Sequence, residues 1–244
     1  MPAVQEWLGE LSDKDLDNFS FTVRNKNWAA AVPMSQDDLD DDQQGVLQTI
    51  PTYLVQRLMA HPEEIIIALV NALTTTPAYD GVNFVSDVLG VRTFDNNLAG
   101  TGTTLAQMEA DLNAALVAMA GFTDNQGKIL NVKGSVIVCP MVLANKFRRL
   151  VNSQNDPTVT SQLTFNPYQG NFTVIGDARL DAVDVNDWYL FATQEIVKPF
   201  IFSMRQEPRP MWEKKNLTKT WVASANYRGN VAVGIPQLCV KTVN

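Results

Sequence analysis

Apolar residues recur with two different periods along this chain, and the switch between them divides it. From Asn18 to Pro33, Phe19, Phe21 and Val23 alternate with Ser20, Thr22 and Arg24; Trp28, Ala30 and Val32 alternate on the return. A period of two marks half-buried strands, and Asn25-Lys26-Asn27 supplies turn residues between them. The segment therefore reads as a β-hairpin with Lys26 at its tip, where a lysine keeps a loop soluble. An isolated hairpin is marginal in water, and packing on a neighbouring subunit removes that difficulty. Beyond Pro51 the period lengthens, with Leu54, Leu58, Ile65 and Leu69 near helical spacing. Pro62 predicts a break into two helical pieces, with His61 starting the second and Glu63 and Glu64 in its first turn.

The third helix carries the clearest signals. Thr104 and Gln107 form a capping box, Leu105, Met108, Leu112, Leu116 and Met119 share a face, and Gly121 ends it. A turn at Asn125-Gln126-Gly127 leads to a buried strand, Ser135 to Cys139, and then to a helix from Met141 to Val151. Residues 153–170 are polar, hold two prolines and read as loop. Strands are then expected at Phe172–Ile175, Trp188–Ala192, Pro199–Met204, Thr220–Tyr227 and Val231–Val240. The order predicts an α+β fold in which an α/β unit interrupts a discontinuous domain.

Composition narrows the chemistry. The 244 residues are 45% hydrophobic and 18% charged, a globular balance with a sparsely charged surface. The net charge of −7, with scattered Lys and Arg, argues against tight binding of duplex DNA. No stretch approaches the ~18 apolar residues of a membrane span, and no signal-peptide pattern opens the chain, so synthesis in the cytoplasm is expected. Cys139 and Cys239 lie in apolar runs and read as buried thiols, with a disulfide geometrically open. The single histidine, His61, and two distant cysteines supply neither a nucleophile–base pair nor zinc-ligand spacing. Gly100-Thr101-Gly102 lacks the lysine and spacing of a phosphate loop. Asp37 to Asp42 lacks the alternation and terminal glutamate of a calcium loop and reads as a solvated acidic segment entering a helix. Asp80, in Tyr79-Asp80-Gly81, reads as a turn residue, and neither it nor Asp87 has a nucleophile beside it in the pattern. No cofactor or metal is implied.

Several short motifs occur in a particular order. They are Trp7-Leu8-Gly9, Asn25-Lys26-Asn27-Trp28, the acidic run to Asp42 with Gly45, His61-Pro62-Glu63-Glu64 and Tyr79-Asp80-Gly81-Val82-Asn83-Phe84. Gly127 to Leu130, Val136 to Pro140, Asn166 to Gly170, Asp187 to Leu190, Lys198 to Ile201, Arg205 with Glu207 and Pro208, and Tyr227 through Gly234 to Gln237 continue the series. In this order the chain resembles the major head subunits of Mu-like tailed phages. It departs from them in reaching Trp7 at once, so the arm that ties such subunits together is expected to be short or supplied otherwise, and in Val85 and the missing histidine after the Tyr-Asp-Gly station.

The resemblance implies the tailed-phage major capsid protein (Johnson) fold. Residues 1–17 would be a short N-terminal segment and 18–34 the extended hairpin loop. Residues 35–90 and 195–244 would form a peripheral domain with the spine helix, and 91–194 the axial domain. The implied function is structural, not enzymatic: self-assembly into hexamers and pentamers of an icosahedral head enclosing double-stranded DNA. Partners would be the chain itself, with scaffold, portal and cement proteins, and DNA held without sequence preference. Candidate inter-subunit contacts are Phe19, Phe21, Arg24, Lys26, Trp28, Asp40, Asp41 and Asp42. The alternatives are an encapsulin-like compartment shell and, from another class, a small carboxylate-dependent α/β hydrolase.

Overall fold

The computed structural model describes residues 23–87, 92–124, 127–158, 164–215 and 218–244. Two sheets organise them. A three-stranded antiparallel sheet, ordered β1-β7-β6, is built from β1 (Lys26–Ser35), β6 (Phe200–Lys214) and β7 (Thr220–Val233). A five-stranded mixed sheet has the order β2-β8-β5-β3-β4, with β2 (Asn97–Ala99), β3 (Val136–Pro140), β4 (Thr173–Asp177), β5 (Trp188–Phe191) and β8 (Cys239–Val243). Helices α1 (Gln36–Asp40), α2 (Ile50–Asn71), α3 (Leu105–Gly121), α4 (Met141–Asn152) and α5 (Ala178–Asp181) complete the fold.

The five-stranded sheet is buried on both faces because its strands are apolar at successive positions. Ile137, Cys139, Trp188, Leu190 and Val240 enter one core with α3 and α4, joined by Met108, Leu112, Leu143 and Phe147. Their neighbours Val138, Tyr189, Phe191 and Cys239 enter a second core with Ile67, Val70, Leu73 and Phe84. The capping box of α3 forms as expected: the Gln107 N–H donates to Thr104 Oγ1, and Gln107 Oε1 accepts from the Thr104 N–H. Asp111, 4% exposed on that helix, accepts from the Thr101 N–H and hydroxyl and fixes the loop before it.

Helix α2 runs unbroken through Pro62 for 22 residues, so the expected break and the helix start at His61 do not occur. Its first half packs Leu54, Val55 and Leu58 on Trp28, Ala30, Ala225 and Tyr227 of the three-stranded sheet. Its second half places Ile67 and Val70 in the core shared with the five-stranded sheet. A proline inside a helix costs ~3 kcal/mol. Burial of Leu58, Ile67 and Val70, at ~1.5–3 kcal/mol each, outweighs it and anchors the helix on both sides of the proline.

Other expectations change for long-range reasons. Lys26 and Asn27 belong to β1 and are not a hairpin turn; β1 pairs along its length with β7, Trp28 facing Tyr227. The first strand expected for that hairpin falls at Phe19–Val23, of which residues up to 22 lie outside the described residues, as do Trp7-Leu8-Gly9 and the turn residues Asn125 and Gln126. Strand β6 continues ten residues past Met204, through bulges between Met204, Gln206 and Arg209. Val231–Val240 is not one strand. Its first residues finish β7, a short 3-10 turn follows at Pro236–Leu238, and Cys239 opens β8 between β2 and β5. Residues 239–243 therefore belong with the α/β unit and not with the segment 195–233. The chain crosses between the two sheets at Gly234, whose N–H donates to the Pro199 carbonyl at 2.8 Å. A side chain there would overlap the Lys198 carbonyl oxygen, so close backbone passage requires glycine.

Both thiols are free and buried, and they face opposite cores across the sheet. Burial pushes Cys139 up to about 12 and Cys239 well above its ordinary value. Neither thiol should react with a disulfide reagent at pH 8 in the folded protein, and both should react after denaturation. A disulfide-linked mass in the native protein would contradict this arrangement.

Candidate assembly surfaces

The joint between α2 and the three-stranded sheet is built around the single histidine. His61 Nδ1 lies 2.7 Å from the Tyr227 hydroxyl, and the His61 ring meets Trp28 edge-on at 4.4 Å between centroids. The Trp28 indole N–H donates to the Gly229 carbonyl at 3.1 Å. Tyr227 is buried beneath the helix, and burial raises its hydroxyl pKa, with the Glu64 charge adding to the rise. These aromatic contacts lock β1 and β7 under one helix face. The opposite face of α2 leaves Tyr53 and Met59 64% exposed.

Strand β6 carries a second apolar surface. Phe202, Met204 and Trp212 lie opposite the buried Val231, Gly229 and Ala223, so they point to the α2 side of the sheet. They remain 39–43% exposed, because the helix covers the middle strand and leaves the outer one partly bare. Just before β6, Ile196 stands 98% exposed. Apolar side chains left bare along one strand are the kind of surface from which interaction sites are made.

The acidic segment is local and ordered. Ser35 caps α1 by accepting from the Asp37 N–H, and Lys219 pairs with Asp37 at 3.4 Å. Gln36 accepts from the Trp221 indole at 2.6 Å and from Lys214. Asp40 and Asp41 are exposed, whereas Asp42 turns back to accept from the Val46 and Leu47 N–H groups.

The expected contact residues thus divide into two groups. Phe19 and Phe21 lie outside the described residues. Arg24, Lys26 and Trp28 sit at one end of β1, with the Lys26 ammonium 5.9 Å from the Trp28 ring. Asp40, Asp41 and Asp42 follow its other end, ~30 Å of strand away. The structure does not gather them into one site. The exposed row on β6 has no separate signature in sequence, since alternation on an edge strand looks the same whether or not a helix covers it.

Asp80 is a turn residue, as expected, accepting from the Val82 N–H, with Gly81 at φ +78°. Its main partner is one the sequence reading missed: Arg92, whose Nε and Nη2 reach its two oxygens at 2.6 and 2.9 Å. Arg92 also donates to the carbonyls of Val82, Asn83 and Phe84. Burial works to raise the Asp80 carboxyl, but the Arg92 hydrogen bonds and charge outweigh it, and the group titrates below its ordinary value. Nothing in the local sequence singles out this lone arginine. Asp87 is exposed. Among the described residues no group of His, Cys, Asp and Glu could hold a metal, and no helix is long and apolar enough to cross a membrane.

Arg92→Ala strands a carboxylate in this loop and should cost ~3 kcal/mol in denaturant unfolding. Because Asp80 titrates lower folded than unfolded, its contribution is present above the unfolded value near 3.8 and is lost as pH falls through the folded value. Asp80→Asn should therefore show a shallower loss of stability below about pH 4 than the unsubstituted protein.

A sequence family described as phage capsid protein matches residues 21–236. The major capsid protein of Escherichia phage Mu is 29% identical over 104 residues, which are 43% of this chain and 33% of that protein. The Mu-like prophage FluMu major head subunit of Haemophilus influenzae is 27% identical over 84 residues, 34% of this chain and 27% of its own length. The chain thus aligns with a third or less of these relatives. Among solved structures, the capsid of bacteriophage JBD30 decorated with minor capsid protein trimers superposes with a TM-score of 0.62 at 18% identity, over 74% of this chain and 82% of that one. The cyanophage Pam1 capsid gives 0.56 at 13%, over 90% and 74%. At such identities the shared property is the fold.

Proposed function

The chain belongs to the phage capsid protein family, and from that premise we propose that it is the shell-forming subunit of a tailed-phage head, assembling into hexamers and pentamers around double-stranded DNA. The family match over residues 21–236 carries the reading. The fold, that of tailed-phage major capsid proteins, supports it, as do the apolar surfaces left open on α2 and β6.

In this reading the three-stranded sheet with α2 is the peripheral domain. The axial domain is the five-stranded sheet with α3, α4 and α5, and it includes β8. β1 ties residues 26–34 into the sheet, which leaves residues 18–25 for the extended loop in this reading. Head-to-tail contacts that close give rings, and rings of five and six tile a shell. Each subunit meets several neighbours at once, so modest individual contacts suffice. A net charge of −7 lets the wall enclose DNA without gripping its phosphates. Scaffold, portal and cement proteins are the further partners. The hydrolase alternative gains no support, since Asp80 is committed to Arg92.

The test is negative-stain electron microscopy with light scattering on the chain alone and co-expressed with its scaffold. Closed shells, tubes or rings of five and six are expected, with nuclease-protected DNA in phage-derived particles. Packaged enzyme in place of DNA would indicate a compartment shell. A monomer at every concentration under both conditions would overturn the assignment.

A further inference from the structure

The two outer strands of the three-stranded sheet are built differently. Strand β6 carries Pro208 and Pro210, the charges Arg205, Glu207 and Arg209, and two breaks in register. Prolines, charges and bulges on an edge are the devices that stop another strand from adding to it. Strand β1 runs ten residues in unbroken register with β7 and carries one charge, Lys26, and one proline, Pro33, near its far end. Its middle, Trp28-Ala29-Ala30-Ala31-Val32, is uncharged, and Ala29 and Ala31 are exposed. Among the described residues, no strand pairs with its outer edge. Among the described residues, then, one edge is guarded and the other is open.

The flanks of β1 are opposite in sign. Arg24 and Lys26 stand at its start, and Asp37 and Asp38 follow its end. An antiparallel partner centred near Ala30 and Ala31 would set the basic end of one strand beside the acidic end of the other, twice by symmetry. A second copy of β1 satisfies this arrangement with itself, as a two-fold contact requires. A parallel copy would stack like charges, and β6 of another copy is blocked by its prolines.

We propose that the outer edge of β1 is a strand-addition surface for β1 of a second copy, making a continuous six-stranded sheet across a two-fold axis. The proposal rests on the shell-building reading and names one of its contacts. Backbone hydrogen bonds supply the attraction, the alanines allow close approach, and the charged ends set direction and register.

Ala31→Cys tests it in assembled particles, where buried Cys139 and Cys239 stay silent. Mild oxidation should convert most of the chain to a disulfide-linked dimer, while Gln206→Cys on the guarded edge stays monomeric. Arg24→Glu should lower dimer yield roughly tenfold, and Asp38→Lys in the same chain should restore it. Three results would overturn the proposal. The first is intact particles whose Ala31→Cys chains remain monomeric, which leaves the shell reading standing. The second is an intramolecular disulfide in a Ser20→Cys, Ala29→Cys double variant, showing the edge taken by the chain's own residues. The third is absence of particles from the unsubstituted chain with and without scaffold, which removes both readings together.

Discussion

One helix holds two cores together. The first half of α2 lies on the three-stranded sheet and its second half on the five-stranded sheet, so neither sheet can be repositioned without disturbing buried side chains on that helix. Arg179 adds a polar tie on the same line. Its guanidinium bridges Glu63 of α2 and Asp177 at the end of β4, and its carbonyl accepts from Asn71. Glu63 and Arg179 are well exposed, so this tie contributes little beside the apolar contacts. Orientation between the two halves is set mainly by packing.

Local signals were legible and long-range ones were not. The capping box of α3, the buried strand β3 and the apolar face of α4 depend on residues within a turn or two of each other, and each appears where the pattern puts it. Pro62 misled because its cost is local while the burial that outweighs it comes from residues some 160 positions away, Ala225 and Tyr227 among them. The turn at Asn25-Lys26-Asn27 misled for a related reason: turn residues can equally continue a strand when a long partner such as β7 is present. Strand β6 was cut short at Met204 because the charges and prolines of a guarded edge imitate a loop. The loop arginine Arg92 carries no periodic signature, and only the folded chain shows what it holds. Of the expected contact residues, those of β1 and the acidic segment are placed at opposite ends of one strand, which spacing alone could not reveal.

Four buried polar side chains fix loops: Asp111 the turn before α3, Asn166 the end of α4, Asn96 two segments it bridges, and Arg92 the Asp80 turn. The exposed surface keeps apolar side chains at the edges of both sheets, including Ile175, Met204 and Trp212. Fixed loops beside exposed apolar rims are the features that the proposed shell-building role would draw on.

The position of β8 has a consequence in time. It lies between β2 and β5, yet the chain reaches it only after completing the whole ribbon of β6 and β7. As the polypeptide leaves the ribosome, β2 to β5 appear first and cannot close into their sheet. The flank of β5 that β8 will occupy, with Tyr189 and Phe191 beside it, stays open through the synthesis of residues 192–238. An open apolar strand edge is what a chaperone binds and what an aggregating neighbour captures. The chain therefore passes its greatest folding hazard late, while most of it is made and its second sheet is still unclosed.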